Sequence, residues 1–529
     1  MPDAHLAIVL HAHLPFVHHP EHERHLEEEW LFEAVADTYV PLLLTWDRLR
    51  RDGVPVRLTL SVTPPLLEML ANPMLQERCA GFLARRIELA EREADRTRRN
   101  PAAHAVALHY VERFRAVRDY FTRRCDGDLI APVRAMQEAG FVEILTCAAT
   151  HALLPLLLTP NALRAQIEVG VETTTRYFKR RPYGIWLPEC GFRPGIDDAL
   201  AKAGLKYFIA DAHGLLNATP TPPQGVHAPV LCPSGVAAFG RDLESSKQVW
   251  SSTEGYPGDG VYREFYRDLG YDADYDYIKP FLHDDGVRRN LGIKYHCVTG
   301  DVGLDAKAPY DRVAAVRRAG EHASHFVYSR QHQARFLKSR FPSSPIIVAP
   351  YDAELFGHWW YEGPEFLEQL FRAAEFAQED FRISTLSECL AEHPPQHAAT
   401  PSASTWGNKG YMEVWLNGAN DWIYRHLHWA EERMAELAAR HRENVRAPLR
   451  AALDQAAREL MLAQSSDWAF LMTAGTATPY AEKRTRDHLN RFAELYHMIE
   501  SGRVNSARVK KLQEMSPIFA EMDYRVFAP

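Results

Sequence analysis

The strongest constraint on the fold is a recurrence. Short apolar runs, rich in β-branched residues and bounded by turn signals, are spread over the first three-quarters of this 529-residue chain: Leu6–Leu10, Val56–Val62, Val142–Cys147, Gly184–Leu187, Lys206–Ala210, Gly235–Phe239 and Ile346–Ala349. An apolar run of that length with no polar alternation suits a strand buried on both faces, as in a parallel sheet. Helical stretches lie between the runs. The alternation points to an α/β fold, either a barrel or a doubly wound sheet, and seven strands favour the barrel.

Two regions depart from the pattern. Residues 66–136 carry Arg- and Glu-rich helical patterns such as Phe82–Arg98 and His104–Arg124, which indicates a helical subdomain inserted between the second and third strands. After a Pro- and Ala-containing polar stretch, His393–Ser404, apolar residues keep helical spacing: Met434 and Leu437, then Leu449, Leu453 and Leu460 beyond Pro448. The expected organisation is a catalytic barrel over 1–395, a link, and a helical domain over 405–529.

Composition narrows the function classes. With 46% hydrophobic and 25% charged residues the chain reads as soluble and globular, and its net charge of −8 argues against a nucleic-acid partner, which would be met by clustered Lys and Arg. Seven scattered cysteines without a CxxC pair indicate neither a disulfide framework nor a thiolate zinc site, which fits a reducing cytoplasm. No apolar run approaches the roughly 20 residues that span a bilayer, so no membrane partner is expected.

Three motifs follow strand-like runs. In His11-Ala12-His13-Leu14-Pro15, residues i and i+2 of a strand share a face, so both imidazoles point into one pocket as metal ligands or as donors to a polar substrate. In Trp186-Leu187-Pro188-Glu189, a carboxylate beside Trp in a water-poor pocket is what a glycosidic nucleophile or acid requires. In Pro350-Tyr351-Asp352-Ala353-Glu354-Leu355-Phe356-Gly357-His358-Trp359-Trp360, a strand runs into carboxylates, a histidine and indoles. Glu189 and Asp352 would share one rim of a barrel. Two carboxylates about 5–5.5 Å apart serve a retaining glycosidase, and about 6.5–9.5 Å an inverting one.

These motifs, with Leu145–His151 and Ser465-Ser466-Asp467-Trp468-Ala469-Phe470, resemble the five ordered sequence regions of glycoside hydrolase family 57. The stretches Ser245–Ser251, Gly255–Asp259 and Tyr262–Asp268, and Trp406 followed nine positions later by Trp415, are similar to the family's 1,4-α-glucan branching members. The resemblance implies a (β/α)7 barrel with an inserted helical domain and a C-terminal helical domain, a retaining double displacement on α-glucan, and no metal or other cofactor. It implies Glu189 as nucleophile and Asp352 as general acid/base. His11, His13 and His151 would line the attacked sugar's subsite, and Trp406, Trp415 and Asp467 would close the cleft. Trp186 and Arg263 are assigned to the substrate-binding set too, although Arg263 and Arg267 have a plainer reading as partners of Glu264 or Asp268.

Branching members carry a loop with a tyrosine at its tip, whereas His213–Trp250 contains no tyrosine here. Without such a lid water competes better with a glucan acceptor, so an α-amylase is the first alternative. A zinc hydrolase or deacetylase using His11, His13 and His151 or Asp211 is the second, without a His-Glu-x-x-His motif to support it.

Overall fold

The computed structural model describes residues 4–529 apart from Ser252 and Asn444. Seven parallel strands stand where the apolar runs predict them: β1 (Ala4–Ala12), β2 (Leu58–Val62), β3 (Val142–Leu145), β4 (Gly184–Ile185), β5 (Tyr207–Ala210), β6 (Ala237–Gly240) and β7 (Ile346–Asp352). Ladders join β3-β2-β1-β7 and β4-β5-β6, and parallel bridges Thr146–Ile185 and Arg241–Val348 connect the two groups at both edges. The ring is therefore closed, as a (β/α)7 barrel requires.

Alternation along each strand assigns side chains to the inside or outside of this ring. Ala7, Val9, Leu145, Tyr207, Ile209, Phe239, Ile346 and Val348 fill the interior, while Leu6, Ile8, Leu10, Leu58, Leu60, Ile347 and Ala349 pack outward under the helices. Both faces being covered explains why the runs show no polar alternation. The register sets His11 level with Ser61 on one neighbour and Asp352 on the other, so the strand ends present their last inward side chains at one height.

Residues 66–136 are helical as expected. The long helices Pro73–Arg96 and Pro101–Asp119 each begin Asn-Pro, with Asn72 and Asn100 accepting from the backbone N–H of Leu75 and Ala103. Their partner was not foreseen. A mostly irregular segment, 256–310, packs against them: Tyr277 and Tyr295 donate to Glu93, each at 2.7 Å, and Asp268 accepts from the N–H groups of Gly270, Leu291 and Gly292. Bonds from side chains to backbone leave no periodicity to read.

The stretch His393–Ser404 is more than a link, because His397–Ala398 pairs with Val230–Leu231 and Ser404 bridges Phe192. Residues 405–423 are turns and short 3-10 segments, interrupted by Gly407, Gly410 and Gly418, and the expected long helices begin at Tyr424. Helices Tyr424–Arg440, Ala447–Ala463, Ser466–Ala474 and Thr478–Glu500 follow, with Met434, Leu437, Leu453, Leu460, Phe492 and Leu495 buried. Among the described residues all seven cysteines are free, and no helix is long and apolar enough to cross a membrane.

Candidate active site at the barrel rim

A cavity of about 580 Å³ opens at the C-terminal ends of the strands, lined by His11, His13, His151, Glu189, Asp352, Trp406, Trp415 and Asp467 among others. Eight of the ten residues expected at the site thus meet in one place, with His13 and Asp467 bonded across 454 residues of sequence. Two do not line it. Trp186 lies wholly buried behind the wall, its indole stacked on His11 at 4.8 Å and edge-on to Trp406 at 4.9 Å. Arg263 is buried elsewhere, with its guanidinium 3.7 Å over the Tyr361 ring and donating to Tyr110 Oη at 3.2 Å. Its role is packing of the 256–310 segment. Nor do Arg263 and Arg267 pair as expected, since Arg267 meets Asp272, Glu264 meets Lys307 and Asp268 meets Lys294.

Glu189 sits on a strained turn. Pro188 opens a 3-10 turn beyond β4, and Glu189 itself is left-handed at φ 60°, a conformation costly for a residue with a side chain. Gly191 is favoured close by, because a Cβ there would lie 2.9 Å from the Pro188 carbonyl oxygen as well as 2.5 Å from Leu153 Cδ1. Trp406 Nε1 donates to Glu189 Oε2 at 2.8 Å, and Ser466 Oγ donates to Oε1 at 3.3 Å. Burial outweighs these donors and pushes the carboxyl up to about 7.

Asp352 ends β7. Burial, then the neighbouring Glu354 and Glu189 carboxylates, hold it well above the ordinary range, against the pull of Arg241. Burial thus pushes both carboxyls upward, the direction in which enzymes tune acid/base carboxyls toward neutral pH. The loop after Asp352 is pinned by Gly357 at φ +119°, where a Cβ would lie 1.9 Å from Asp37 O.

The histidines form a bonded chain. His11 Nδ1 meets Ser61 Oγ at 3.1 Å, its Nε2 meets His151 Nε2 at 3.1 Å, and His151 Nδ1 meets Ser466 Oγ at 2.8 Å. His13 Nδ1 meets Thr63 Oγ1 at 3.0 Å and its Nε2 meets Asp467 Oδ1 at 3.0 Å. Burial and the other imidazoles keep His11 and His151 neutral. Burial also pulls on His13, but Asp467 carries it upward, and Asp467 is itself held down at about 2 despite being buried. His13, His151 and Asp467 are close enough together to hold a metal ion, yet each of the four imidazole nitrogens of His13 and His151 already has a protein partner.

In comparisons with known proteins, the model of glycosyl hydrolase family 57 matches residues 7–401. The chain belongs to this family. A model described as 1,4-alpha-glucan branching enzyme, C-terminal, matches residues 426–527. The 1,4-alpha-glucan branching enzyme of Thermococcus kodakarensis is 34% identical over 96% of this chain and 76% of its own. Among solved structures, the alpha-amylase AmyC of Thermotoga maritima is 44% identical with a TM-score of 0.94, covering 100% of this chain and 99% of that one. The branching enzyme of Pyrococcus horikoshii is 32% identical with a TM-score of 0.89, covering 100% and 97%.

Among the other lining residues of this family 57 pocket, Glu354 and Trp359 belong to the third motif, whereas Arg241, Trp250 and Phe470 were assigned no place in the site. Strand parity would have found Arg241, because 237, 239 and 241 face inward on β6. Arg241 donates to Asp211 Oδ2 at 3.1 Å and lies 5.7 Å over the Trp406 ring. Trp250, Trp359 and Phe470 are 42%, 54% and 45% exposed, and such large apolar side chains left open at a cavity mouth are the signal that a ligand covers them.

Proposed function

We propose that this family 57 member is a 1,4-α-glucan branching enzyme working by retaining double displacement. Asp352 protonates the glycosidic oxygen while Glu189 attacks the anomeric carbon. The cleaved fragment is then held on Glu189 as a glycosyl ester, and Asp352, now a base, takes the proton from a glucan 6-hydroxyl that displaces it. His11, His13 and His151 hydrogen-bond the reacting sugar. Trp406, Trp250 and Trp359 give stacking faces for the chain on either side, with the buried Trp415 backing the wall.

The observation that carries the reading is one cavity in which two buried carboxyls, both raised by burial, share walls with indoles. The relatives named as branching enzymes, together with the match over 426–527, supply the choice of transfer. A barrel over 1–395 with an insert at 66–136, and a helical domain over 405–529, is the matching division of labour. The reading also assigns the protein to glycogen-type synthesis in the cytoplasm.

One second reading has specific support. The absence of tyrosine in 213–250 and the 44% identity to an alpha-amylase favour hydrolysis on the same machinery. Linkage analysis of amylose after incubation separates the two. Branching yields α-1,6 bonds with little gain in reducing ends, whereas release of reducing ends with no α-1,6 bonds overturns the proposal in favour of the amylase. Full activity in chelator is expected of either, and loss of activity restored by zinc would instead support the metal-hydrolase alternative.

A further inference from the structure

The opposite end of the barrel carries a second histidine group that the glucan chemistry does not use. His5, at the start of β1, and His393, just past the helix Leu386–Glu392, bring their Nε2 atoms to 2.8 Å across 388 residues of sequence. The helix closes the barrel floor, with Leu386 and Cys389 in the interior cluster. Glu392 Oε2 lies 3.8 Å from His5 Nε2. Six residues of strand, roughly 20 Å, separate this group from His11.

We infer that His5, His393 and Glu392 form a binding site for a zinc-class divalent cation, which staples the first strand of the barrel to the helix that closes its floor. The three side chains offer ligand atoms all within 4.8 Å of one another, and two imidazoles with a carboxylate suit this class of ion. Their supports are those expected around a metal. His5 Nδ1 is bonded to Ser384 Oγ at 2.9 Å, so Nε2 is the atom turned toward His393 and Glu392, and an ion would take the place of its bond to His393 Nε2; Arg382 holds the Glu392 carboxylate at 2.6 Å. His393 is half-buried and Glu392 is 46% exposed on its side chain, which gives the ion a path in and a position for water. The Arg382 charge beside the carboxylate works against a cation, so affinity in the micromolar range is expected, weaker than in a closed structural site.

The test uses the full-length protein stripped with chelator and titrated with zinc chloride, read by calorimetry, elemental analysis and thermal denaturation. Wild type takes up one equivalent and its Tm rises. His393→Ala, with a metal-free Tm matching wild type, takes up none and shows no rise. Glu392→Gln binds at least about tenfold more weakly, a loss of roughly 1.4 kcal/mol. Absence of stoichiometric uptake by wild type overturns the inference, and so does equal uptake by His393→Ala, which would move the ion to His13, His151 and Asp467. Equal affinity in Glu392→Gln removes the carboxylate from the site.

Discussion

The two walls of the pocket are built differently. The barrel wall carries Glu189, Asp352, His11 and His13 at or just beyond the ends of strands whose backbones are locked in parallel ladders. The facing wall comes from the turn-rich segment 405–423 and the start of the helix Ser466–Ala474, and it supplies Trp406, Trp415, Ser466 and Asp467. The groups that would make and break bonds stand on the rigid side. Those that set their protonation and orientation reach across from the other, so catalysis and its tuning should be separable by mutation.

The largest effect should come from the barrel wall. Glu189→Gln is expected to cost about 10⁴-fold or more in the rate of α-1,4 cleavage, since no covalent intermediate can form. A near-normal rate would dismiss Glu189 as nucleophile. Asp352→Ala should be nearly as damaging on amylose but far milder on a glycosyl fluoride, whose leaving group departs without a proton. Equal losses on both substrates would count against the acid/base role.

Across the pocket, Asp467→Asn removes the anion that raises His13 against the pull of burial. A loss of about 100-fold is expected, of the size caused by misplacing a positioning group, with kcat falling more than KM rises. Trp406→Phe should act through pH. The indole N–H favours the Glu189 anion, so its removal raises that carboxyl above about 7 and moves the acidic limb of kcat/KM to higher pH. An unmoved limb would mean that the bond at 2.8 Å does not tune the nucleophile. Smallest in rate but most telling for the chemistry is Trp415→Ala, expected to raise the hydrolytic share several-fold as water enters the acceptor side. Lower thermal stability at an unchanged transfer-to-hydrolysis ratio would reduce Trp415 to packing.

The same contrast explains what could be read from the sequence. Glu189, Asp352, His11 and His13 were legible because each sits at or just after an apolar run, and a barrel puts strand ends on one rim. Arg263 misled because an arginine among aromatic residues reads equally as a sugar contact or as a cation packed on a ring, and only the fold shows Tyr361 beneath it. Trp359 was visible, but its exposure was not. Neither was its backing by Phe265, stacked at 4.6 Å from the far segment 256–310. That segment itself had no periodicity to betray it, and the short pairing of 397–398 with 230–231 uses backbone groups that any residue supplies.

The stitching of the Glu189 turn bears on how the chain becomes active as it is made. Trp406 N–H donates to Glu189 O, Phe192 N–H to Ser404 O, and Ser466 Oγ reaches the carboxylate. Domains generally fold in order of synthesis, and most of the barrel is complete before residue 404 exists. A ribosome stalled after the last barrel strand would therefore hold an assembled scaffold with the Glu189 turn unfinished, lacking the proposed activity until nearly the whole polypeptide has emerged.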